Sequence, residues 1–252
     1  MFLCSPTSCK AAGRITDDKG KTDTAAKFPV PSAADIVSRL LLMPHTAPGR
    51  ESYRKDADIM NTFYAMLSRM KHITRWSLMR NVRTENLCEH SQDVAVIAHA
   101  LALLTNRRFG GQVDPGRCAL LALYHDAPEI LTGDLPTPVK YYNPALREAY
   151  RQVETVSGEK LLSMLPDDLR DDYRPLLLPD EEWTEERRLV KAADKLAALI
   201  KCVEEAEQGN REFEQARRST EQAVRAMRIP AADCFLQEFL PSYRLTLDEQ
   251  GS

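Results

Sequence analysis

The sequence predicts an all-α fold, and three features carry that expectation. Apolar residues recur at i, i+3, i+4 and i+7 from Asp58 onward, N-cap residues open one such stretch after another, and few segments alternate with a period of two. The first stretch places Ile59, Phe63, Met66, Leu67, Met70 and Ile73 on one face, with Asp58 as its N-cap. Asn86, with Glu89 three residues on, is a capping box opening a helix whose core side is Val94, Ile97, Ala98, Leu101 and Leu104. His90 shares that inward face. Asp114-Pro115 is an N-cap and N1 pair, and Gly133 is the matching C-terminal residue. The helix expected between them carries His125 and Asp126 and is kinked by Pro128, which has no N–H to offer the Tyr124 carbonyl. Asn143-Pro144 opens a helix reaching about Leu165. Thr184, followed by Glu185 and Glu186, opens another that Gly209 closes. Its core face is Leu189, Ala193, Leu196 and Ile200, with Asp194 at the edge of the stripe. Helices over Asn210–Met227 and after Pro230 complete the expected set.

Residues 1–57 differ from this pattern. They are rich in Ser, Thr, Ala, Pro and Lys and have too few large apolar residues for a core, so a flexible extension is expected before a domain over residues 58–250. One short stretch, Ser32 to Met43, has helical spacing. Asp17, Asp18 and Asp23 argue against a transit peptide, and no continuous apolar core marks a secretory signal.

Across 252 residues, 43% hydrophobic and 28% charged content describe an ordinary globular protein. A net charge of −3 gives no global reason to expect a nucleic acid polymer or an anionic membrane as partner, so any phosphate site is local. No uncharged apolar run reaches the ~18 residues of a membrane span. The six cysteines show no CxxC spacing, which favours free thiols in a reducing cytoplasm over a disulfide framework or a thiolate zinc site.

The chemistry gathers around LLALYHDAPEILTGDLPTPVK, Leu120 to Lys140. A lone His-Asp pair in an apolar segment is most simply a salt-bridged core histidine, since burying either group unpaired is costly. His90 and Asp194, on inward faces of two other helices, add a second reading. Two imidazoles and two carboxylates make a mixed N/O donor set suited to Mn, Co, Fe or Ni and acceptable to Zn, and it leaves room for water and a substrate oxygen. A cation would also neutralise carboxylates that otherwise have no evident partner. Composition and spacing leave both readings open and name no reaction.

Four stretches carry a resemblance: RWSLMRNVRTENLCEHS, YHDAPEILTGDLPTPVKYYN, LVKAADKLAALIKCVEE and PSYRLTLDE. Together they resemble the bacterial HD-domain 5′-deoxynucleotidases, within the HD-domain metal-dependent phosphohydrolases, over about residues 58–250. The resemblance implies one divalent cation, such as Co2+ or Mn2+, held by His90, His125, Asp126 and Asp194. It also implies a homodimer that removes phosphate from deoxyribonucleoside 5′-monophosphates. The expected substrate contacts are Arg75, Trp76, His90, Asp126, Asp194 and the turn Asp134-Leu135-Pro136-Thr137.

Chemical roles can be assigned on that footing. Glu129, one helical turn from His125, is expected to handle the proton of the water or the leaving 5′-oxygen. Arg75 would grip the phosphate and stabilise transition-state charge, beside Asp126 as the third catalytic group. Trp76 would lie against sugar or base and make a 2′-hydroxyl unwelcome, and Asp134 would accept from the 3′-hydroxyl. Arg80, Arg83 and Lys140 would add positive charge. The alternatives are another HD phosphohydrolase, acting on cyclic nucleotides, nucleoside triphosphates or guanosine tetraphosphate, and a nucleotide-sensing module without turnover.

Overall fold

In the computed structural model, residues 61–140, 142–178 and 184–251 are described, without the side chains of Thr137 and Pro138. The predicted 1–57 extension, its Ser32–Met43 helix and the Asp58 cap lie outside these residues. The described residues are helical, with no strand among them beyond an isolated antiparallel bridge, Thr74 to Asn86. Helices α1 (Phe63–Leu67), α2 (Leu87–Arg108), α3 (Pro115–Tyr124), α4 (Glu129–Thr132), α5 (Thr137–Lys140) and α6 (Pro144–Leu162) come first. They are followed by α7 (Asp167–Leu177), α8 (Glu185–Glu207), α9 (Glu214–Ala226), α10 (Pro230–Glu238) and α11 (Leu247–Gln250).

The predicted caps account for the main helix starts. Asn86 accepts from the Cys88 and Glu89 amides at 3.0 Å each, and the Glu89 side chain returns to the Asn86 amide at 3.4 Å. Asp114 accepts from the Gly116 and Arg117 amides at 2.8 and 3.1 Å, and Asn143 accepts from the Leu146 amide at 2.7 Å. Each such cap satisfies a donor that the helix cannot, a contribution of about 1 kcal/mol. Gly133 and Gly209 sit at φ 75° and 80°, where a side chain would be strained.

Three elements depart from expectation. The first helix gives way at Ser68 to a 3-10 segment, Ser68–His72, and then to extended backbone. The bridge draws the chain out of the helix: the Leu87 amide donates to the Ile73 carbonyl at 3.0 Å and the Arg75 amide to the Glu85 carbonyl at 2.9 Å. The helix around His125 and Asp126 is broken rather than kinked. Pro128 leaves the Tyr124 carbonyl to the Ala127 amide at 3.0 Å, so α3 ends at Tyr124 and both residues occupy the turn before α4. Helix α7, which contains Pro175, was not among the expected elements.

Two apolar clusters hold the helices together. The larger joins α2, α3, α8, α9 and α10 through Ile97, Leu101, Leu121, Leu189, Leu196, Leu199, Val224 and Phe235. The smaller gathers Phe63, Leu87, Ala127, Ile130, Leu161, Leu165 and Leu177 around α6 and α7. Gly158 permits part of that packing, since a Cβ there would stand 2.6 Å from Leu178 Cδ2. His90 lies between Leu87 of one cluster and Val94 of the other, and the His125-Asp126 turn lies between Ala122 and Ala127. The seam between the clusters is therefore where the polar groups meet.

The chain between Arg75 and Asn86 is tied to α8 by one carboxylate. Glu205, fully buried, accepts from the Val82 and Arg83 amides at 2.9 and 3.2 Å, from Asn210 Nδ2 at 2.7 Å, and from Lys201. Lys201 also donates to the Arg83 carbonyl. Burial alone would raise the pKa of Glu205, but Lys201, the two amides and Asn210 overcome it and bring the carboxyl from 4.5 to about 2. A depressed folded pKa means stability that is present above the unfolded value and lost as the carboxylate protonates. Glu205→Ala should lower stability by roughly 3–5 kcal/mol by leaving Lys201 unpaired, read by urea denaturation. The stability gap between wild type and Glu205→Gln should narrow as the pH falls from 4.5 toward about 2.

Candidate metal and phosphate site

The seam places four predicted groups together from three separated parts of the chain. His90 on α2 has Nε2 at 3.6 Å from Asp126 Oδ2 and at 3.4 Å from Asp194 Oδ1 on α8. His125 Nε2 lies 3.2 Å from the same Asp126 oxygen, and the two imidazole centroids are 5.4 Å apart. The ligand atoms of His90, His125 and Asp126 all fall within 4.8 Å of one another, and Asp194 joins them through its contact with His90.

The donor chemistry fits a cation. His90 Nε2 and His125 Nε2 are buried and have no hydrogen-bond partner among the described residues. His125 Nδ1 is 2.6 Å from the Ala122 carbonyl, which can only accept, so Nδ1 carries a proton and Nε2 is the atom turned to the cluster. Burial disfavours the charged ring, but Asp126 outweighs it and raises the His125 pKa, so a cation at Nε2 would compete with a proton. Burial works against ionising Asp126, but His125, His90 and Arg75 outweigh it and hold the carboxyl below the usual carboxylate range. For Asp194, His90 and Lys191 overcome burial in the same sense.

Arg75 is anchored rather than free. Its Nη1 donates to Asp126 Oδ2 at 3.2 Å and its Nε to Glu85 Oε2 at 3.3 Å, leaving the Nη2 end for an anion. Trp76 stands at φ 56°, in the left-handed region, with its carbonyl accepting from Asn81 Nδ2 at 3.2 Å and its ring 5.3 Å from that of Phe213. Both residues line a cavity of about 1400 Å³ with His125, Asp126, Glu129, Asp134, Leu135, Pro136, Lys140 and Asp194. That volume exceeds the ~300–1,000 Å³ usual for a small-molecule pocket, so a nucleotide has ample room.

Glu129 is 6% exposed, and its Oε2 has no hydrogen-bond partner among the described residues. Burial first and the nearby Asp126 charge second push its carboxyl up to about 9, against the pull of Lys140 and Arg75. At neutral pH this group therefore holds a proton at the cavity wall. Asp134 is raised as well, chiefly by burial, with Arg75 opposing.

Not every expected residue stands in the cavity. His90 is fully buried, behind the wall rather than on it. The side chain of Thr137 lies outside the described residues. Arg80 and Arg83 are exposed and paired with Glu212 and Glu89, away from the cavity lining. Lys140 does reach it, 3.8 Å from Glu129 and 2.8 Å from Glu154. Two groups that sequence reasoning passed over are Glu154, which holds Lys140 beside Glu129, and Glu85, which is 9% exposed against Arg75 and Trp76. No periodic or motif signal marks Glu154. Glu85 had a weak signal, an acid directly before the Asn86 cap.

The sequence profile described as 5′-deoxynucleotidase YfbR-like matches residues 62–243. Among curated proteins, a 5′-deoxynucleotidase from Klebsiella pneumoniae subsp. pneumoniae is 52% identical over 187 residues, which is 74% of this chain and 94% of that one. One from Vibrio atlanticus is 50% identical over 187 residues, 74% of this chain and 96% of its own. Among solved structures, an HD-domain phosphohydrolase from Listeria innocua superposes with a TM-score of 0.66 at 26% identity, covering 76% of this chain and 92% of its own.

The raised carboxyl at the cavity wall has a thermodynamic signature. A folded pKa of about 9 against an ordinary 4.5 means that the native state binds the extra proton, so stability falls as the pH rises across that window. In chelator-treated protein, Glu129→Gln should remove that part of the slope. Melting temperatures of both proteins from pH 5 to 9 would decide it, and parallel curves would place the proton elsewhere.

Proposed function

The chain belongs to the YfbR-like 5′-deoxynucleotidase family and is a phosphoric monoester hydrolase; from that premise we propose that it removes phosphate from deoxyribonucleoside 5′-monophosphates with one divalent cation held by His90, His125, Asp126 and Asp194. One observation carries the reading: unpartnered imidazole nitrogens and two carboxylates meet at the edge of a cavity whose wall holds Arg75, Trp76 and Asp134. Co2+ and Mn2+ suit this donor set. Under the same reading the enzyme is cytoplasmic and works as a homodimer. Among the described residues no helix is long and apolar enough to cross a membrane.

A divalent cation at this position supplies Lewis-acid chemistry, lowering the pKa of a bound water and polarising a phosphate oxygen. The protein side chains supply the rest. Arg75, held by Glu85 and Asp126, presents Nη2 to the phosphate and stabilises charge that grows on its oxygens. Glu129 holds a proton at neutral pH and sits where the leaving 5′-oxygen needs one, which makes it a general acid. Trp76, Asp134, Leu135 and Pro136 enclose the sugar end of the cavity, with Thr137 assigned to the same turn. Trp76 lies against the ribose face where a 2′-hydroxyl would have to fit, and Asp134 accepts from the 3′-hydroxyl.

Phosphate release across a panel of deoxyribonucleotides, ribonucleotides and metals tests the reading. Preference for the deoxy series with added Mn2+ or Co2+ is the expected result, and absence of release from every monophosphate would end it. Glu129→Ala should leave metal and nucleotide binding in place while turnover drops by ~10²–10⁴-fold. Asp194→Asn should weaken Mn2+ binding by calorimetry by about tenfold or more, together with activity.

A further inference from the structure

The carboxylate that holds Arg75 also touches two other parts of this site. The Glu85 side chain is 11% exposed. Its Oε2 accepts from the Trp76 indole Nε1 at 2.8 Å and from Arg75 Nε at 3.3 Å, while its backbone carbonyl accepts from the Arg75 amide at 2.9 Å. Its Oε1 lies 3.9 Å from His90 Nδ1, an electrostatic contact rather than a hydrogen bond. His90 Nδ1 has no hydrogen-bond partner among the described residues, and Asp126 and Asp194 stand on the opposite, Nε2 side of the ring. Glu85 therefore sits behind the imidazole as seen from the cation position. A carboxylate there orients the ring and makes the ligating nitrogen more basic.

The same acid controls a strained residue. Trp76 is held at φ 56°, a strained conformation for a bulky side chain, so it persists only where its surroundings over-determine it. Its contacts include Asn81 and the Met79 amide on its carbonyl, Phe213 against its ring, and Glu85 on its indole nitrogen. Of these, only the Glu85 bond is directional on the ring, so it sets which edge of the indole faces the cavity. A single rigid carboxylate thus fixes both a cation that grips the phosphate and a ring that meets the sugar, keeping the two in register.

We propose that Glu85 is a positioning residue for hydrolysis and sugar discrimination, acting through Arg75, Trp76 and His90 without touching substrate. The proposal rests on the 5′-deoxynucleotidase reading for its substrates, whereas its effects on Trp76 and on the metal stand apart from turnover.

Full-length wild type, Glu85→Gln and Glu85→Ala are compared by phosphate release from deoxyadenosine and adenosine 5′-monophosphates, by Mn2+ calorimetry, and by tryptophan fluorescence. The last is measured in a Trp183→Phe background, so that Trp76 alone reports. In Glu85→Ala, kcat/KM for the deoxy substrate should fall ~10–100-fold, the deoxy-to-ribo preference should shrink by about tenfold, Mn2+ should bind more weakly and Trp76 emission should shift to the red. In Glu85→Gln the amide oxygen still takes the indole N–H, so emission and preference should be retained. Loss of the charge beside Arg75 should raise KM, and Mn2+ affinity should fall.

A folded Glu85→Ala protein, judged by circular dichroism, with wild-type preference and emission would overturn the proposal. So would a Glu85→Gln protein with wild-type KM and Mn2+ affinity, which decides the matter if the alanine variant does not fold. Wild type that releases phosphate from neither nucleotide sinks the functional reading instead, and emission and Mn2+ affinity still judge Glu85.

Discussion

Burying carboxylates next to imidazoles between two apolar clusters is a costly arrangement, and the structure is organised around offsetting that cost. Asp126 has His125, His90 and Arg75 as partners, and Asp194 has His90 and Lys191. Taking such charges out of water costs several kcal/mol per ion, and unpaired donors left over add to it. Mutual pairing covers part of this. It leaves the two Nε2 atoms without hydrogen bonds, so the cluster is balanced only when something electron-poor stands among them. That requirement explains why the polar groups occupy the seam. A core that packed continuously from Leu87 to Val94 and from Ala122 to Ala127 would have no place for them.

Proline at position 128 is the local device that opens the seam. Had α3 continued as one rod, a helical ladder would have carried the chain from the larger cluster straight into the smaller. The break instead places His125 and Asp126 in a turn, with His125 Nδ1 on the Ala122 carbonyl. A new short helix then brings Glu129 to the cavity wall. The result is two carboxylates, a few residues apart, with opposite behaviour. Asp126, among positive partners, stays ionised, whereas Glu129, desolvated beside Asp126, keeps its proton. Environments that push neighbouring acids apart in this way let one cavity hold a carboxylate and a carboxylic acid side by side.

The segment from Arg75 to Asn86 is the second structural commitment. It has no helix to stiffen it, yet it carries the arginine and tryptophan that face the cavity. Its rigidity comes from outside: a backbone bridge at Thr74 and Asn86, the capping box at the start of α2, and the buried Glu205 on α8 that gathers two of its amides. Helix α8 also presents Asp194, so one element sets the position of both a carboxylate of the cluster and the loop. Precision in a loop-borne site requires such support from packed elements.

Much of the fold was legible along the chain because its signals are local. The caps at Asn86, Asp114, Asn143 and Thr184 depend on residues two or three apart, and the apolar stripes of α2 and α8 depend on helical period, so both can be read without knowing the partner elements. His90, His125, Asp126 and Asp194 stood out for the same reason: polar groups on or beside apolar faces conflict with simple core packing. Tertiary structure alone decided what depends on distant partners. The bridge that unwinds the first helix after Leu67, the cap of Lys140 by Glu154, the pairing of Arg80 and Arg83 away from the cavity, and the place of Glu85 between Arg75, Trp76 and His90 have no periodic signature. A carboxylate in a loop reads the same whether it is solvated or buried, and only the burial imposed by neighbouring helices separates the two, because desolvation is a property of the packed surroundings and not of the residue.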